Sequence, residues 1–528
     1  MNTMYDFEGM FLDMTFFPEV CYCASCRERY KKETGKELPR KIDWKDPDWL
    51  DFVYRRDLWM AEYANFATAC VKAVKPNVTI EHQFSRITGG WVDGSSELLT
   101  EAIDYCGGDY YGGFLQQTFI NKYYKNVSPN LPFVYHTSRC DPELAYHTTT
   151  KTEEELMLHV ITALVHNGAF LLVDAINPDG SIVPEVYHGL MKRIYAKTSL
   201  YEKYVSGKFH HNAAIWFATH AKYNPNENCE DMMQKKIHPD LYLDGPVAAA
   251  SIMRENNIPF EVIGTKNIDG ETADVMILSH VAAIRDEEMD KIESYVNRGG
   301  NLYISGPVGH PGLQKLLGIE VTGRTEHQFT YMRPTEEGMA IFEGFGSLTP
   351  LTVPMAQMTA RITDPEGVTV LATRVLPYTL TDTEDFAAIH SNPPGIYTDE
   401  PCVILKDTGK GKLLWSAAPI EMSRPFMSRQ VFTRMIRSLI TESVYTSNAP
   451  KFVEVIGWEK DGSDYFAVIN EQEESPVVPM HDIYIDVKKP DKKAVLLPEE
   501  TELQTEVLGD TLRIYLPKVE IFQMIRLV

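Results

Sequence analysis

Apolar runs alternate with helical patterns between residues 8 and 204. Short runs of this kind, mostly apolar and without strict alternation, are typical of strands buried in a parallel sheet. The five predicted strands are Glu8–Phe17, Val78–Phe84, Gly107–Gly113, Leu131–Arg139 and Ala169–Ala175. Strands that alternate with helices predict a parallel α/β sheet for this region.

The helical patterns between these strands carry recognisable start and stop signals. Apolar residues on one side of Trp49–Lys75 predict a long helix that Pro76 ends. Thr152 and Glu155 form the capping-box pattern that begins a helix, which we expect to reach His166. Three further helices are predicted, at Ser96–Tyr105, between Gly113 and Leu131, and at Pro184–Tyr204.

The pattern changes after Gly207, where strands and helices of a second α/β region follow. Predicted strands are Asn212–Phe217, Phe260–Ile263, Ala273–Leu278 and Asn301–Ser305, and predicted helices are Val247–Asn256, Asp286–Arg298 and Arg429–Ser443. This order predicts a Rossmann-like sheet. Because no G-x-G-x-x-G motif follows its first strand, we do not expect it to bind a dinucleotide.

From about Lys451 to the end of the chain, short segments alternate apolar and polar residues. Short alternating strands at this spacing predict a small antiparallel β-sandwich. The sequence therefore predicts three domains, at residues 1–206, 207–447 and 448–528.

Polar residues repeatedly follow the strands of the first domain. They are Asp13, Glu81, His82, Gln83, Asp109, His136, Arg139 and Asp174. Barrels of the (β/α)8 type place their chemistry at this end of the strands. Five β/α units are visible where such a barrel has eight, so we expect an incomplete TIM-type barrel that starts at the fourth strand.

Composition limits the classes of molecule that we expect the protein to bind. A formal net charge of −23 argues against nucleic acid or anionic membrane as a partner, whereas a neutral sugar tolerates such a surface. No apolar run reaches the roughly 18 residues that a membrane span needs. The first residues lack the basic and apolar regions of a signal peptide, and the cysteines are clustered, so we expect a cytoplasmic location.

Cys21, Cys23 and Cys26 form a C-x-C-x-x-C loop directly after the first strand. Three thiolates at this spacing suit Zn²⁺, although three free thiols are an equal alternative. A closed structural site needs a fourth ligand. Cys70, Cys106, Cys140 and the histidines are all candidates for it.

The block Asn177-Pro178-Asp179-Gly180, preceded by Gly168 and its apolar strand, resembles the closing segment of family 29 α-L-fucosidases. Phe11-Leu12-Asp13-Met14 is similar to the strand that carries their nucleophilic aspartate. A closer resemblance is to hydrolases such as the family 151 α-L-fucosidases, which join such a barrel to a β-galactosidase-type trimerisation domain of glutaminase-like shape. The cysteine loop resembles the zinc loop of family 42 β-galactosidases. The resemblance covers about residues 5 to 445.

This resemblance implies a retaining glycoside hydrolase, α-L-fucosidase-like, with Asp13 as nucleophile and no cofactor needed for catalysis. Retention requires a second carboxyl group as acid and base, and we expect Glu81 in this role, with Asp109 next. Candidates for binding the sugar hydroxyls are His82, Tyr110, His136 and Arg139, and candidates for stacking on the sugar ring are Trp91 and Tyr111.

Two alternatives stay open. One is a β-galactosidase-like glycosidase. The other is a non-catalytic oligomeric scaffold or truncated fragment, because family 29 enzymes hold the sugar with histidines from barrel strands that have no counterpart here. The resemblance also implies self-association, as a trimer, through the second domain.

Overall fold

A computed structural model of the chain describes residues 3–224, 227–233, 241–380, 384 and 390–528. The chain divides into two compact units. The first contains residues 1–210, 222–241 and 445–528, and the second contains residues 211–221 and 242–444.

Five parallel strands open the first unit. They are β1 (Gly9–Leu12), β2 (Thr79–His82), β3 (Gly107–Asp109), β4 (Phe133–Ser138) and β5 (Gly168–Val173). β1 pairs with β2, and β3, β4 and β5 form a second parallel group. A parallel bridge between Gln83 and Gly107 links the two groups. The order along the sheet is therefore the order along the chain.

The register decides which side chains share a face of this sheet. Phe11 lies opposite Glu81, and His136 lies opposite both Asp109 and Leu171. Side chains in register on parallel strands point to the same side, so these residues form one face, which we call the inner face. The other face is apolar and packs on helices; there Met10 and Leu12 contact Ile80 in one apolar cluster.

The helices of the first unit are α1 (Ala24–Thr34), α2 (Pro47–Lys72), α3 (Phe114–Val127), α4 (Glu153–Val165) and α5 (Lys192–Thr198). The predicted cap of α4 is confirmed, because the Thr152 side chain accepts a hydrogen bond from the Glu155 amide. The Glu155 carboxylate instead accepts from Lys151. The predicted helix at Ser96–Tyr105 is a single 3-10 turn, Glu97–Glu101, and a π-helical turn, Glu185–Met191, precedes α5.

Antiparallel strands complete the first unit. One sheet has the order β18 (Thr446–Ser447), β21 (Met480–Val487), β25 (Thr511–Val519) and β24 (Thr505–Leu508). The other has the order β23 (Thr501–Glu502), β22 (Ala494–Leu497), β26 (Phe522–Leu527), β20 (Ser463–Asn470), β19 (Val453–Lys460) and β6 (Lys208–Phe209). Apolar side chains of both sheets share one core, as the alternating pattern predicts.

Buried polar contacts attach these strands to the helices of the parallel sheet. Thr118 of α3 donates to Glu454, and Thr162 of α4 donates to Glu471. Lys122 lies 3.2 Å from the second carboxylate oxygen of Glu454, with both side chains buried. Since buried charges need partners, these contacts specify how α3 and α4 meet the strands.

The second unit is built on a nine-stranded sheet. Its strand order is β13 (Leu351–Val353), β12 (Thr330–Pro334), β15 (Val368–Pro377), β16 (Pro394–Asp407), β17 (Lys412–Ser416), β10 (Asn301–Ser305), β9 (Val275–Ser279), β7 (Ala213–Trp216) and β8 (Phe260–Ile263). The last five of these strands run parallel to one another, and the first four pair antiparallel.

Helices α6 (Leu241–Glu255), α7 (Asp286–Asn297), α8 (Pro311–Leu317) and α9 (Phe426–Leu439) belong to this unit, with a separate hairpin of β11 (Ile319–Arg324) and β14 (Met358–Ile362). Among the described residues, no helix of either unit is long and apolar enough to cross a membrane.

The mixed α/β character predicted from the sequence is confirmed. No closed barrel forms among the described residues, since β1 and β5 each have a strand partner on one side only. The three domain boundaries stay a prediction.

Candidate active site

Polar side chains from four neighbouring strands meet at the carboxyl end of the inner face. Asp13 follows β1, and Gln83 follows β2. Asp109 is the last residue of β3, and His136 lies near the end of β4. The inner face is open to solvent at its sides, because Phe11 is 46% exposed and Leu171 is 42% exposed. The inner face therefore brings together acids, an amide and an imidazole; the Asp13 carboxylate is exposed, whereas Gln83 and His136 are buried.

Asp109 is held by donors from two directions. Its Oδ1 accepts from Gln83 Nε2 at 2.5 Å and Ser85 Oγ at 3.3 Å, and its Oδ2 accepts from the Tyr111 hydroxyl at 2.6 Å. Burial raises the pKa of Asp109, but the hydrogen bonds from Tyr111 and Gln83 outweigh burial and hold this pKa below its ordinary value. Asp109 is thus kept as a carboxylate.

Asp13 sits in a tight turn immediately after β1. The Met14 amide donates to Asp13 Oδ1 at 2.8 Å and to Gln83 Oε1 at 3.0 Å, and Met14 itself has a left-handed φ of 56°. This backbone conformation is costly for a residue other than glycine. Asp13 is exposed, and its charge contributes to the raised pKa of Tyr111, after burial and the Asp109 hydrogen bond.

Glu81 lies deeper on the inner face than Asp13 and is buried. Its Oε1 is 3.1 Å from His136 Nε2, and the His136 ring meets the Phe11 ring edge-on at 5.7 Å. Burial and then the charge of Glu81 and a hydrogen bond to it raise the pKa of Tyr105. Glycine at position 107 makes room for the carboxylate, because a Cβ there would lie 2.0 Å from Glu81 Oε1.

Four predicted binding residues lie away from this cluster. His82 points to the opposite face of the sheet, where Thr15 and Thr68 occupy its two ring nitrogens. The Trp91 indole is buried, donates to Glu227 at 3.0 Å and packs edge-on against Trp49. Neither side chain is available to a ligand on the inner face.

The other two are Tyr110 and Arg139. Tyr110 is buried with its hydroxyl 2.9 Å from that of Tyr124. Arg139 donates to Asp174 Oδ1 at 2.6 Å, and its remaining nitrogens donate to Thr150 and to the His147 carbonyl. Arg139 therefore ties the loop after β4 to the end of β5.

Gln83 is a strand-end residue in the sequence, but it is not among the predicted catalytic or binding residues. It lies two residues after Glu81, so the two-residue period of a strand puts both on one face and His82 on the other. This two-residue period was the sequence signal that could have identified Gln83. Tyr105 carried no comparable signal, because it reaches Glu81 from a loop rather than from a strand.

The cysteine loop forms a separate group in the same unit. The sulfur atoms of Cys21, Cys23 and Cys26 all lie within 4.8 Å of one another. The Cys26 backbone amide, with hydrogen bonds among the three thiols, lowers the pKa of Cys23 to about 7. A soft donor set with an accessible thiolate fits Zn²⁺, whose bonds to sulfur are about 2.3 Å long.

No protein-family model and no curated protein sequence matches the chain significantly. Solved structures do match. An α-L-fucosidase isoenzyme 2 from Paenibacillus thiaminolyticus aligns with 100% of this chain and 78% of its own, at 17% identity and a TM-score of 0.73. A catalytic mutant of a GH42 β-galactosidase from G. stearothermophilus aligns with 96% of this chain and 76% of its own, at 15% identity and a TM-score of 0.67.

A β-galactosidase from Bacillus circulans sp. alkalophilus is also similar, with 96% of this chain and 77% of its own aligned, 12% identity and a TM-score of 0.66. At these identities the likeness concerns the fold. The resemblance in fold to α-L-fucosidases and β-galactosidases that the sequence motifs predicted is confirmed.

Proposed function

We propose that this chain is a retaining glycoside hydrolase of α-L-fucosidase type, with an oligosaccharide or glycoside as substrate. The observation that carries the proposal is the exposed Asp13 carboxylate beside the Asp109 network on the inner face. Fold similarity to a fucosidase and to β-galactosidases supports the same class of reaction.

In this proposal Asp13 attacks the anomeric carbon, and the bond to the leaving group breaks as a glycosyl ester forms on Asp13. Glu81 gives its proton to the leaving oxygen and then takes a proton from the attacking water. His136, which closely contacts Glu81, holds that proton or exchanges it with Glu81. Asp109 and Gln83 then form hydrogen bonds with the sugar hydroxyls, and Tyr111 packs against one face of the sugar ring.

The decisive experiment traps the ester. The full chain is incubated with 2-deoxy-2-fluoro glycosides of L-fucose and D-galactose that carry a good leaving group, and peptides are mapped by mass spectrometry. We expect one fluoroglycosyl group on Asp13 and none in the Asp13→Asn variant. A label on another carboxylate, or turnover without any label, would overturn the assignment of Asp13.

A β-galactosidase-like activity is the second candidate, because the β-galactosidase structures match 96% of the chain. The same experiment separates the two. Labelling by the galactosyl reagent alone favours this candidate, and labelling by the fucosyl reagent alone favours the first.

We also propose the finer architecture implied by the strand count: residues 1–206 are five units of a (β/α)8 barrel, 207–447 a Rossmann-like domain and 448–528 a β-sandwich. Parallel pairing of β1 to β5 in chain order supports the first of these. We expect residues 207–447 to mediate self-association, as a trimer. Sedimentation equilibrium that gives a monomer mass at micromolar concentration would contradict this.

A structural zinc ion at Cys21, Cys23 and Cys26 is the last part of the proposal. The three thiolates would hold the ion, and it would stiffen the loop that follows Asp13. Elemental analysis of the purified protein should give about one zinc per chain, and Cys23→Ser should lower it. Less than about a tenth of an equivalent in the parent protein would exclude the site.

A further inference from the structure

His82 lies between two threonines on the helix-packed face of the sheet and is 1% exposed. Its Nδ1 is 3.0 Å from Thr15 Oγ1, and its Nε2 is 3.0 Å from Thr68 Oγ1. Thr68 Oγ1 is also 2.7 Å from the Ala102 carbonyl oxygen. A carbonyl only accepts, so the single hydroxyl hydrogen of Thr68 goes to Ala102 and Thr68 can only accept from the ring.

This argument assigns the tautomer of His82: Nε2 carries the hydrogen, and Nδ1 is a free acceptor. The Thr15 hydroxyl is the donor that faces Nδ1. The Leu12 carbonyl, 3.1 Å from Thr15 Oγ1, is a second acceptor for the same hydrogen. That oxygen also accepts the Gln83 amide at 3.0 Å, so it keeps a hydrogen bond when the Thr15 hydrogen faces Nδ1. The hydrogen bonds therefore run in one direction, from Thr15 through His82 and Thr68 to Ala102.

The donor at the start of this chain belongs to the turn that carries Asp13. Thr15 is two residues after Asp13, and Met14 between them holds the left-handed backbone conformation. A strained turn persists only where its surroundings hold it in place. On the inner face, the Met14 amide meets Asp13 and Gln83; on the opposite face, the Thr15 hydroxyl meets His82.

We infer that His82 is a positioning residue for Asp13: the hydrogen-bonded chain Thr15–His82–Thr68–Ala102 anchors the Asp13 turn to helix α2. The inference rests on the proposed function for its catalytic meaning. His82 does not touch the sugar in this arrangement. It fixes the turn from behind, so the carboxylate stays in the orientation that attack on an anomeric carbon requires.

A matched pair of variants tests the hydrogen-bonded chain at Thr15. Thr15→Val keeps the shape and removes the hydroxyl, whereas Thr15→Ser keeps the hydroxyl. Loss of one hydrogen bond is worth about 1 kcal/mol, so Thr15→Val should speed hydrogen exchange at the Met14 amide about fivefold or more. Thr15→Ser should leave it within about twofold. Equal exchange in both variants would overturn the inference.

The tautomer is tested directly by ¹⁵N NMR of histidine-labelled protein, with the His82 signals assigned from their loss in His82→Gln. We expect a protonated Nε2 and an unprotonated Nδ1 at pH 7. Protonation at Nδ1 would overturn the direction of the chain and with it the inference. Neither this spectrum nor the exchange measurement requires activity.

Kinetic measurements with an activated aryl glycoside then test whether the hydrogen-bonded chain positions Asp13. Thr15→Val should lower kcat about 10-fold or more at similar KM, and Thr15→Ser should restore it. Faster exchange at Met14 with an unchanged kcat would overturn the positioning role. If the parent protein turns over no glycoside, the proposed function fails, while the spectrum and the exchange rates still decide whether His82 holds the turn.

Discussion

Both units contain parallel strands whose carboxyl ends carry polar residues, yet the two sets of residues differ in exposure. In the first unit Asp13 is exposed and Asp109 is half-buried. In the second unit Glu421 is fully buried: its Oε1 accepts from Ser279 at 2.5 Å and from Ser305 at 2.6 Å, and its Oε2 accepts from Tyr303 at 2.9 Å.

A carboxyl group near the carboxyl ends of parallel strands is therefore not enough to make a site. The Glu421 carboxyl, in a 3-10 turn after β17, is enclosed by three hydroxyl groups from β9 and β10, and burial raises its pKa. The Asp13 carboxylate accepts one short backbone hydrogen bond and keeps access to solvent. The contrast is between an accessible carboxylate in the first unit and a buried carboxyl group in the second.

The most severe test of this contrast is Asp13→Asn. If Asp13 is the nucleophile, kcat/KM should fall by about 10³-fold or more, because the ester can no longer form. The melting temperature should stay within a few degrees of the parent, since the side chain is exposed. Steady-state kinetics and differential scanning calorimetry measure both. Near-parental turnover would end the assignment.

Glu81→Gln separates leaving-group protonation from nucleophilic attack. We expect natural glycosides to lose about 10²-fold or more in kcat/KM, and aryl glycosides with a good leaving group to lose much less. The measurement is a comparison of kcat/KM across aryl leaving groups of graded pKa. An equal loss for every leaving group would remove Glu81 from the acid role.

Glu421→Ala should affect stability and not chemistry. It leaves the hydroxyls of Ser279, Ser305 and Tyr303 without their acceptor, which costs roughly 1–3 kcal/mol for each buried group that stays unsatisfied. Urea unfolding gives the change, with Glu337→Gln at an exposed position as the control. An unchanged unfolding midpoint would show that water or repacking satisfies these hydroxyls.

Lowering the pH should weaken the first unit through its buried histidines. Burial lowers the pKa of His82 to about 4 and that of His166 to about 3, with Lys122 acting on His166 in the same direction. Below pH 6.5 the unfolded state binds protons that the folded state does not, so stability falls as pH drops from about 6.5 towards 4. The slope is about 1.4 kcal/mol per pH unit for each such histidine.

Urea unfolding at pH 7, 6 and 5 measures this slope, and His166→Phe should reduce it. Glu454 also lies near His166 and acts against the lysine. A slope that is unchanged in the variant would mean that His166 is already protonated in the folded state.

Much of the architecture was readable from local pattern. Apolar runs without alternation gave the parallel strands, and Thr152 gave the start of α4, because burial on both faces and capping are encoded within a few residues. The 3-10 turn at Glu97–Glu101 was not readable, since the same apolar spacing suits a short helix and packing decides between them.

The sequence by itself determined which residues end the strands and hence the acids of the candidate site, Asp13, Glu81 and Asp109. Only the tertiary structure decided which polar neighbours join them. Because of the strand register, Gln83 donates to Asp109 and Arg139 donates to Asp174. The same register places His82 on the opposite face, next to Thr15 and Thr68. These partners come from distant parts of the chain, and a one-residue change of register would have exchanged every one of them.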